Sequence, residues 1–302
     1  MKLDRTRALL PRVEWRDSSP STNAELRELA IAAAQGGSAL PHGTLLVTDQ
    51  QTAGRGRLDR GWVTPPGQAL AVSVLVRGFG VDPLTPSTAD ATQPNWGELG
   101  PAWLPLIAGS AVQAGLQPLY RVPVDDDDER DAKRVGTKWP NDVHVRDEDD
   151  AIAGRPGKKL CGILCELLPD GSAVFGMGLN LLIPEWELPT ERATSLLASG
   201  ADVDGAESFS DDAGADLADR VISGIAEELL RLTKLAGANP EAIRARAARN
   251  SLTLGTEVRV HLPGGKLVDG RARALAADGA LIVDLPTGGT LEVSAGDVEH
   301  LR

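Results

Sequence analysis

The order of apolar and polar positions divides the chain into helical, extended and unpatterned stretches. Leu26, Leu29, Ala30 and Ala33 recur at helical spacing. Thr22 is expected to cap that helix with Glu25 three residues on, a capping box, and Gly36-Gly37 to end it. Thr44-Leu45-Leu46-Val47-Thr48 reads as a short apolar strand and 69–77 as a second. Residues 102–120 are apolar on nearly every side, so that helix should be buried. Runs 160–168 and 173–182 flank Pro169-Asp170-Gly171-Ser172, the signal of a hairpin. Leu217, Val221, Ile225, Leu229 and Leu232 form one stripe of a helix over 215–236, and Pro240 opens another that runs to about Asn250. From Ser251 the texture changes to four short strands, 256–262, 267–276, 280–285 and 290–293, separated by Gly-rich turns. The expected organisation is α+β, with a larger domain over 1–250 and a small β domain over 251–302. Four polar stretches, 78–100, 122–134, 146–157 and 198–213, read as exposed insertions, the last as flexible, and Asp125 to Glu129 as a solvated acidic run.

Bulk properties narrow the function. The net charge of −12 argues against nucleic acid as the main partner, because binding phosphate chains needs a basic face. No apolar run is long enough to span a bilayer and no signal peptide opens the chain, so the expected place is cytoplasmic. Cys161 and Cys165 fall on one face of an expected strand, too far apart for a comfortable disulfide, and read as small buried hydrophobes. The four histidines, His42, His144, His261 and His300, are scattered away from any carboxylate cluster at ligand spacing.

Two stretches carry chemistry. In Gln50 to Gly67, Arg55, Arg57 and Arg60 alternate with glycines in a segment without periodicity. Gly54 and Gly56 allow sharp turns and close approach, and the arginines offer planar forks of donors for phosphate or carboxylate. Trp62 could cover a flat ring. A mobile loop closing over a nucleotide would have this composition, and so would a solvated basic turn. The glycine spacing fits neither a dinucleotide-binding turn nor a P-loop. The second stretch, Lys138-Trp139-Pro140-Asn141-Asp142, sets a lysine, an amide and a carboxylate around a proline kink. Lys138 suits a phosphate and Asp142 a magnesium ion or an adenosine group. Beside them, Gly162, Gly176 and Gly178 on the hairpin strands leave space for a ligand.

Together these motifs resemble the biotin protein ligases. The matching residues are Ser21-Thr22-Asn23, Gly54-Arg55-Gly56-Arg57 with Trp62, Lys138 to Asp142, Lys159-Leu160 with Gly162-Ile163-Leu164 and Glu166, Gly176, Gly178 and Asn180, and Thr194-Ser195-Leu196. They occur in the family's order over roughly 15–200, and the small β domain matches the family's SH3-like C-terminal domain. The resemblance implies a mixed sheet with flanking helices, like the catalytic core of class II aminoacyl-tRNA synthetases. It implies a two-step reaction, in which biotin and Mg·ATP form biotinyl-5′-AMP and pyrophosphate before a carrier lysine takes the biotin. By the family's pattern Ser21, Thr22, Asn23 and Gln51 would bind the ureido end of biotin. Lys159 would meet its carboxylate and the α-phosphate. Arg55, Gly56 and Arg57 would close over the adenylate and Trp62 would cover the adenine. Lys138 would meet phosphate, and Asn141, Asp142 and Asn180 would hold the nucleotide, Asp142 touching its magnesium. The implied partner is the biotin carboxyl carrier domain of a carboxylase, with the enzyme a monomer or homodimer. The twenty residues before Ser21 are too few for the DNA-binding domain of the regulatory ligases, so no repressor role is expected. A lipoate–protein ligase on the same scaffold and a non-catalytic binding module remain as the other readings.

Overall fold

The computed structural model describes residues 1–57, 60–81, 96–120, 133–262, 264–294 and 296–301. The chain opens with helix α1 (Asp4–Leu9) and strand β1 (Val13–Trp15), then passes through α2 (Thr22–Gln35) to β2 (Leu45–Thr48). A two-rung hairpin, β3 (Gly54–Arg55) and β4 (Gly61–Trp62), precedes β5 (Ala69–Val76). There follow α3 (Leu104–Leu116), β6 (Arg134–Lys138), β7 (Asp142–Arg146), α4 (Glu148–Ile152), β8 (Lys158–Leu167) and β9 (Ala173–Asn180). Helices α5 (Asp212–Ala238) and α6 (Pro240–Asn250) lead to β10 (Glu257–His261), β11 (Leu267–Leu275), β12 (Leu281–Asp284), β13 (Thr290–Val293) and β14 (Asp297–His300).

Seven strands form the main sheet in the order β1-β2-β5-β9-β8-β7-β6. The β1–β2 pair is parallel and every other pairing in it antiparallel. Strand β5 is buried at all eight positions, as a run that is apolar but for Ser73 requires when both sheet faces are covered. On one face Leu45, Val47, Val72 and Val74 meet the apolar sides of α3 and α5. On the other, Leu46, Leu75 and Val174 pack under Leu26 and Ala30 of α2. Helix α2 covers only part of that second face, and the uncovered remainder is the site.

The C-terminal segment is a five-stranded antiparallel sheet, β13-β12-β11-β10-β14, one strand more than its patterning indicated. Two tryptophans anchor it to the preceding segment, Trp103 at the start of α3 and Trp139 just past the end of β6. Trp103 Nε1 donates to Ala277 O at 2.8 Å and Trp139 Nε1 to Gly279 O at 3.1 Å. Trp139 is thus a buried packing residue within an otherwise functional motif.

Several expectations are corrected. The N-cap of α2 is Ser21, not Thr22, and Glu25 does not close a capping box: its carboxylate binds Arg16 and Ser19. Residues 198–213 pack firmly, burying Val203, Ala206 and Phe209, while Asp211 caps α5. The stretch 146–157 includes helix α4 and borders the site. Of the other two insertions, residues 82–95 and 121–132, with the acidic run, lie outside the described residues.

Candidate active site

The strand register assembles the floor of the site. Lys138 on β6 pairs with Asp142 on β7, Asp142 with Gly162 on β8, Gly162 with Gly178 on β9, and Gly178 with Ala71 on β5. One row across five strands thus carries a cation, a carboxylate and then three residues with little or no side chain. Lys159 joins the row through a bulge. Between the pairs Val143–Cys161 and His144–Lys159 the register shifts, leaving Leu160 as the extra residue on β8. In a regular strand Lys159 would share the core face of Cys161 and Ile163. The bulge reverses that parity, so Leu160 enters the core and Lys159 turns to the open face.

At one end stand the polar groups of the α2 N-terminus. Ser21 Oγ accepts from Ala24 N at 3.4 Å, and Gln51 Oε1 accepts from Thr22 N at 2.9 Å. Asn23 donates to Leu164 O at 3.0 Å and to Glu166 Oε1 at 2.9 Å, and Ser73 Oγ donates to its Oδ1 at 2.7 Å. Thr22 and Asn23 are buried, Asn23 against Gly176, where a Cβ would collide with its amide. This end can read a small polar group by shape and hydrogen bonds.

The other end is ionic. Lys159 Nζ stands 2.7 Å from Asp142 Oδ1. Burial pushes the Asp142 carboxyl up, but neighbouring His144 and Lys159 outweigh it and hold the group well below the usual carboxylate range. Lys138 Nζ donates to Val298 O at 2.8 Å, and burial lowers its pKa. Arg57 donates to Asn141 Oδ1 at 3.2 Å and to Gly296 O at 3.3 Å, with its pKa lowered by burial. Arg60 pairs with Asp297. Arg55 is exposed, without an ion pair or side-chain hydrogen bond among the described residues. Asn141 Nδ2 donates to Ile163 O at 2.7 Å and Asn180 Nδ2 to Thr194 O at 3.0 Å, so both amides also fix backbone at the rim.

Trp62 lies on the floor itself. A Cβ at Gly162 would be 2.9 Å from its ring and one at Gly178 would overlap it, while Lys159 Nζ is 5.4 Å from the ring centroid. The space left by the glycines is thus filled by this indole, whose Nε1 is buried without an acceptor among the described residues. Gly54 must be glycine, since a Cβ there would strike the Trp62 carbonyl and the Gln51 amide.

The expected site residues all line one cleft of about 1190 Å³. That is room for two small ligands end to end. The cleft also takes in residues that sequence reasoning missed. His144 is buried with Nδ1 3.2 Å from Gly157 O, and its Nε2 stands 3.9 Å from Asp142 Oδ2, so one histidine does lie at a site carboxylate. Burial lowers its pKa, against the Asp142 carboxylate, which raises it. Asp297, Val298, Glu299 and His300 of β14 form a wall. Among the described residues no three His, Cys, Asp or Glu side chains stand close enough to hold a metal ion. Asp142 offers a single carboxylate already paired with Lys159, which fits a magnesium ion that arrives on nucleotide phosphates and keeps most of its waters.

A family model described as the biotin protein ligase C terminal domain matches residues 253–301. The chain is 37% identical over 283 residues to a biotin--[acetyl-CoA-carboxylase] ligase of Mycobacterium tuberculosis, covering 93% of this chain and 86% of that protein. It is 30% identical over 198 residues to the bifunctional ligase/repressor BirA of Bacillus subtilis, covering 63% of this chain and 48% of that protein, about half its length. Among solved structures, a biotin protein ligase from Aquifex aeolicus in complex with biotin and ATP aligns with TM-score 0.65 and 24% identity, over 97% of this chain and 100% of that one.

Proposed function

The chain belongs to the biotin protein ligase family, and from that premise we propose that it acts through a biotinyl-adenylate held in the cleft described above. It is an ATP-dependent ligase that joins biotin to protein. A biotin carboxylate oxygen attacks the α-phosphorus of ATP, the bond to the β-phosphate oxygen breaks, and pyrophosphate leaves with its electron pair. The neutral amine of an acceptor lysine then attacks the carbonyl of the mixed anhydride, and AMP leaves.

The first step sets two anions together, so the site must supply cations and orientation rather than a nucleophile. Ser21, Thr22, Asn23 and Gln51 would take the ureido end of biotin, and the glycine floor its rings once Trp62 lifts from Gly162 and Gly178. Lys159, turned outward by the bulge and aimed by Asp142, would lie between the carboxylate and the α-phosphate. Lys138, Arg55 and Arg57 would neutralise the phosphates. Asn141 and Asn180 would fix the nucleotide, and Asp142 would touch the magnesium carried in with ATP. With the Gly54–Trp62 hairpin closed, Trp62 would cover the adenine and water would be kept from the anhydride. The chemistry requires an amine as acceptor, and the family points to a lysine on the biotin carboxyl carrier domain of a carboxylase.

The observation that carries the reading is the position of Lys159: an ammonium at the junction of the amide-rich end and the cationic end, 2.7 Å from its carboxylate partner. Pyrophosphate release from Mg·ATP tests it, measured with biotin, with lipoate and with neither. Release that requires biotin and is lost in Lys159→Ala is expected. Release with lipoate alone would move the chain to the sister reaction, and no release with either acid would overturn the proposal.

A further inference from the structure

Three consecutive residues at the turn into β14 each accept from one cation of the site. Gly296 O accepts from Arg57 at 3.3 Å, the Asp297 carboxylate from Arg60, and Val298 O from Lys138 at 2.8 Å. No other described segment of the C-terminal sheet bonds the Arg55–Arg60 side chains. These donors come from two places, the hairpin Gly54–Trp62 and the end of β6, and β14 is the element that joins them. The strand's own position is fixed by its ladder with β10, where His261 faces Asp297 and Val260 faces Val298. Gly296 adopts φ +136°, and a Cβ there would press on His261 O, 2.5 Å away, so the turn into β14 is built for glycine. The two carbonyls bond groups the site already needs. Asp297 is different, because it is a carboxylate in a wall that must face a polyphosphate.

We infer that Asp297 is a positioning residue: it moors the arginine hairpin to the C-terminal sheet through Arg60 and so holds Arg57 and Arg55 where the ATP phosphates arrive. This rests on the adenylation reading above. Apart from that mooring, the described residues of the hairpin are held by its two rungs, the Gly56 N–Arg60 O and Arg60 N–Arg57 O bonds, the Arg57 bonds to Asn141 and Gly296 and the Trp62 ring on the glycine floor. None of these fixes Arg60 to the C-terminal sheet, and a short hairpin alone is marginal in water. The side chains of Arg60 and Asp297 are 63% and 32% exposed. The tie is therefore weak and sensitive to salt, strong enough to bias a loop and weak enough to let it open for product release. The second anchor, Arg57 to Gly296 O, is neutral on its acceptor side and would survive both salt and loss of the Asp297 charge.

The test uses the full-length enzyme and two variants, Asp297→Asn, which keeps shape and loses charge, and Asp297→Ala. Trypsin cleavage after Arg55, Arg57 and Arg60, followed by mass spectrometry without any substrate, reads the mooring independently of catalysis. Cleavage in this hairpin is expected to rise about two- to fivefold at low salt in both variants, the factor an exposed ion pair carries. Cleavage elsewhere should be unchanged, and the difference should vanish near 0.5 M salt as the pair is screened. The KM for ATP should rise by a similar factor at low salt, with kcat and the KM for biotin unchanged. Unchanged hairpin cleavage would overturn the mooring whether or not the protein makes an adenylate. Faster cleavage with a lower KM for ATP would overturn the positioning role and make Asp297 an electrostatic obstacle. A lowered thermal midpoint with all constants shifted together would reduce Asp297 to a structural residue.

Discussion

At the scale of single residues, the site depends on a few contacts that leave no room for alternatives. Lys159→Ala removes the one ammonium between the two ends of the cleft, and loss of a preorganised charge of this kind lowers the rate by about 10²- to 10³-fold. Steady-state adenylation at saturating ATP and biotin checks it. The same change strands the Asp142 carboxylate. The two side chains are only 29% and 21% exposed, so Lys159→Ala should lower stability by about 1–3 kcal/mol in urea unfolding. Adding Asp142→Asn should recover most of that loss without recovering activity. Gly176→Ala is expected to push Asn23 aside and raise the KM for biotin by an order of magnitude or more, with the KM for ATP little changed. The residues that gather in this cleft were largely named from the sequence because Arg55, Arg57, Lys138 and Lys159 stand in short motifs of uncommon residue types. Trp139, inside one of those motifs, is a core residue. His144, Asp297 and Val298 gave no signal, since each reaches the cleft through pairings with partners distant in sequence. The bulge at Leu160 was hidden because Leu160 and Cys161 are both apolar, so an inserted residue leaves the pattern unbroken.

At the scale of elements, long periodic segments were legible and short ones were not. Helices α2, α5 and α6 and the β8–β9 hairpin lie close to where their spacing put them. Helix α1 was missed because its six residues carry little periodicity and its cap lies far away. Asp219 of α5, 5% exposed, accepts from Arg5 N at 2.8 Å, Thr6 N at 3.0 Å and Thr6 Oγ1 at 2.6 Å. That carboxylate satisfies donors which α1's own N-cap, Leu3, cannot. Asp219→Ala should therefore cost about 2–3 kcal/mol, the sum of a lost cap and buried unpaired donors. Denaturant unfolding measures it, and activity per folded molecule should not change. Strand β14 was missed because Asp297-Val298-Glu299-His300 holds a single apolar residue. Its register is set by β10 and by what it meets in the first domain.

At the scale of the molecule, the cleft is a joint between two sheets, and the joint titrates. Burial, with help from Lys138, lowers the pKa of His300 to about 4, and His144 is lowered as well. An unfolded imidazole takes up its proton near its ordinary value of about 6.5. Between these pH values the unfolded chain binds more protons, so stability is full above about pH 6.5 and falls as pH drops toward 4. The slope from His300 is at most about 1.4 kcal/mol per pH unit. Asp142, held low, keeps its contribution throughout this window and loses it only at more acid pH. Thermal unfolding at pH 7, 6 and 5 should show the midpoint falling, and His300→Asn should flatten the fall. The joint itself could be expected from the sequence only as two domains in contact, because the groups that form it are carbonyls and isolated side chains. The central claim is that biotin is activated as an adenylate held in this joint and never bonded to the enzyme. Mass spectrometry of the protein after incubation with biotin and Mg·ATP tests it most directly, in native and in denaturing conditions. The account requires one biotinyl-5′-AMP per chain in the native spectrum, released on denaturation and discharged by an acceptor carrier domain. Biotin that remains on the denatured enzyme as a stoichiometric covalent adduct needed for transfer, or an enzyme that binds biotin and ATP without forming the adenylate, would contradict it.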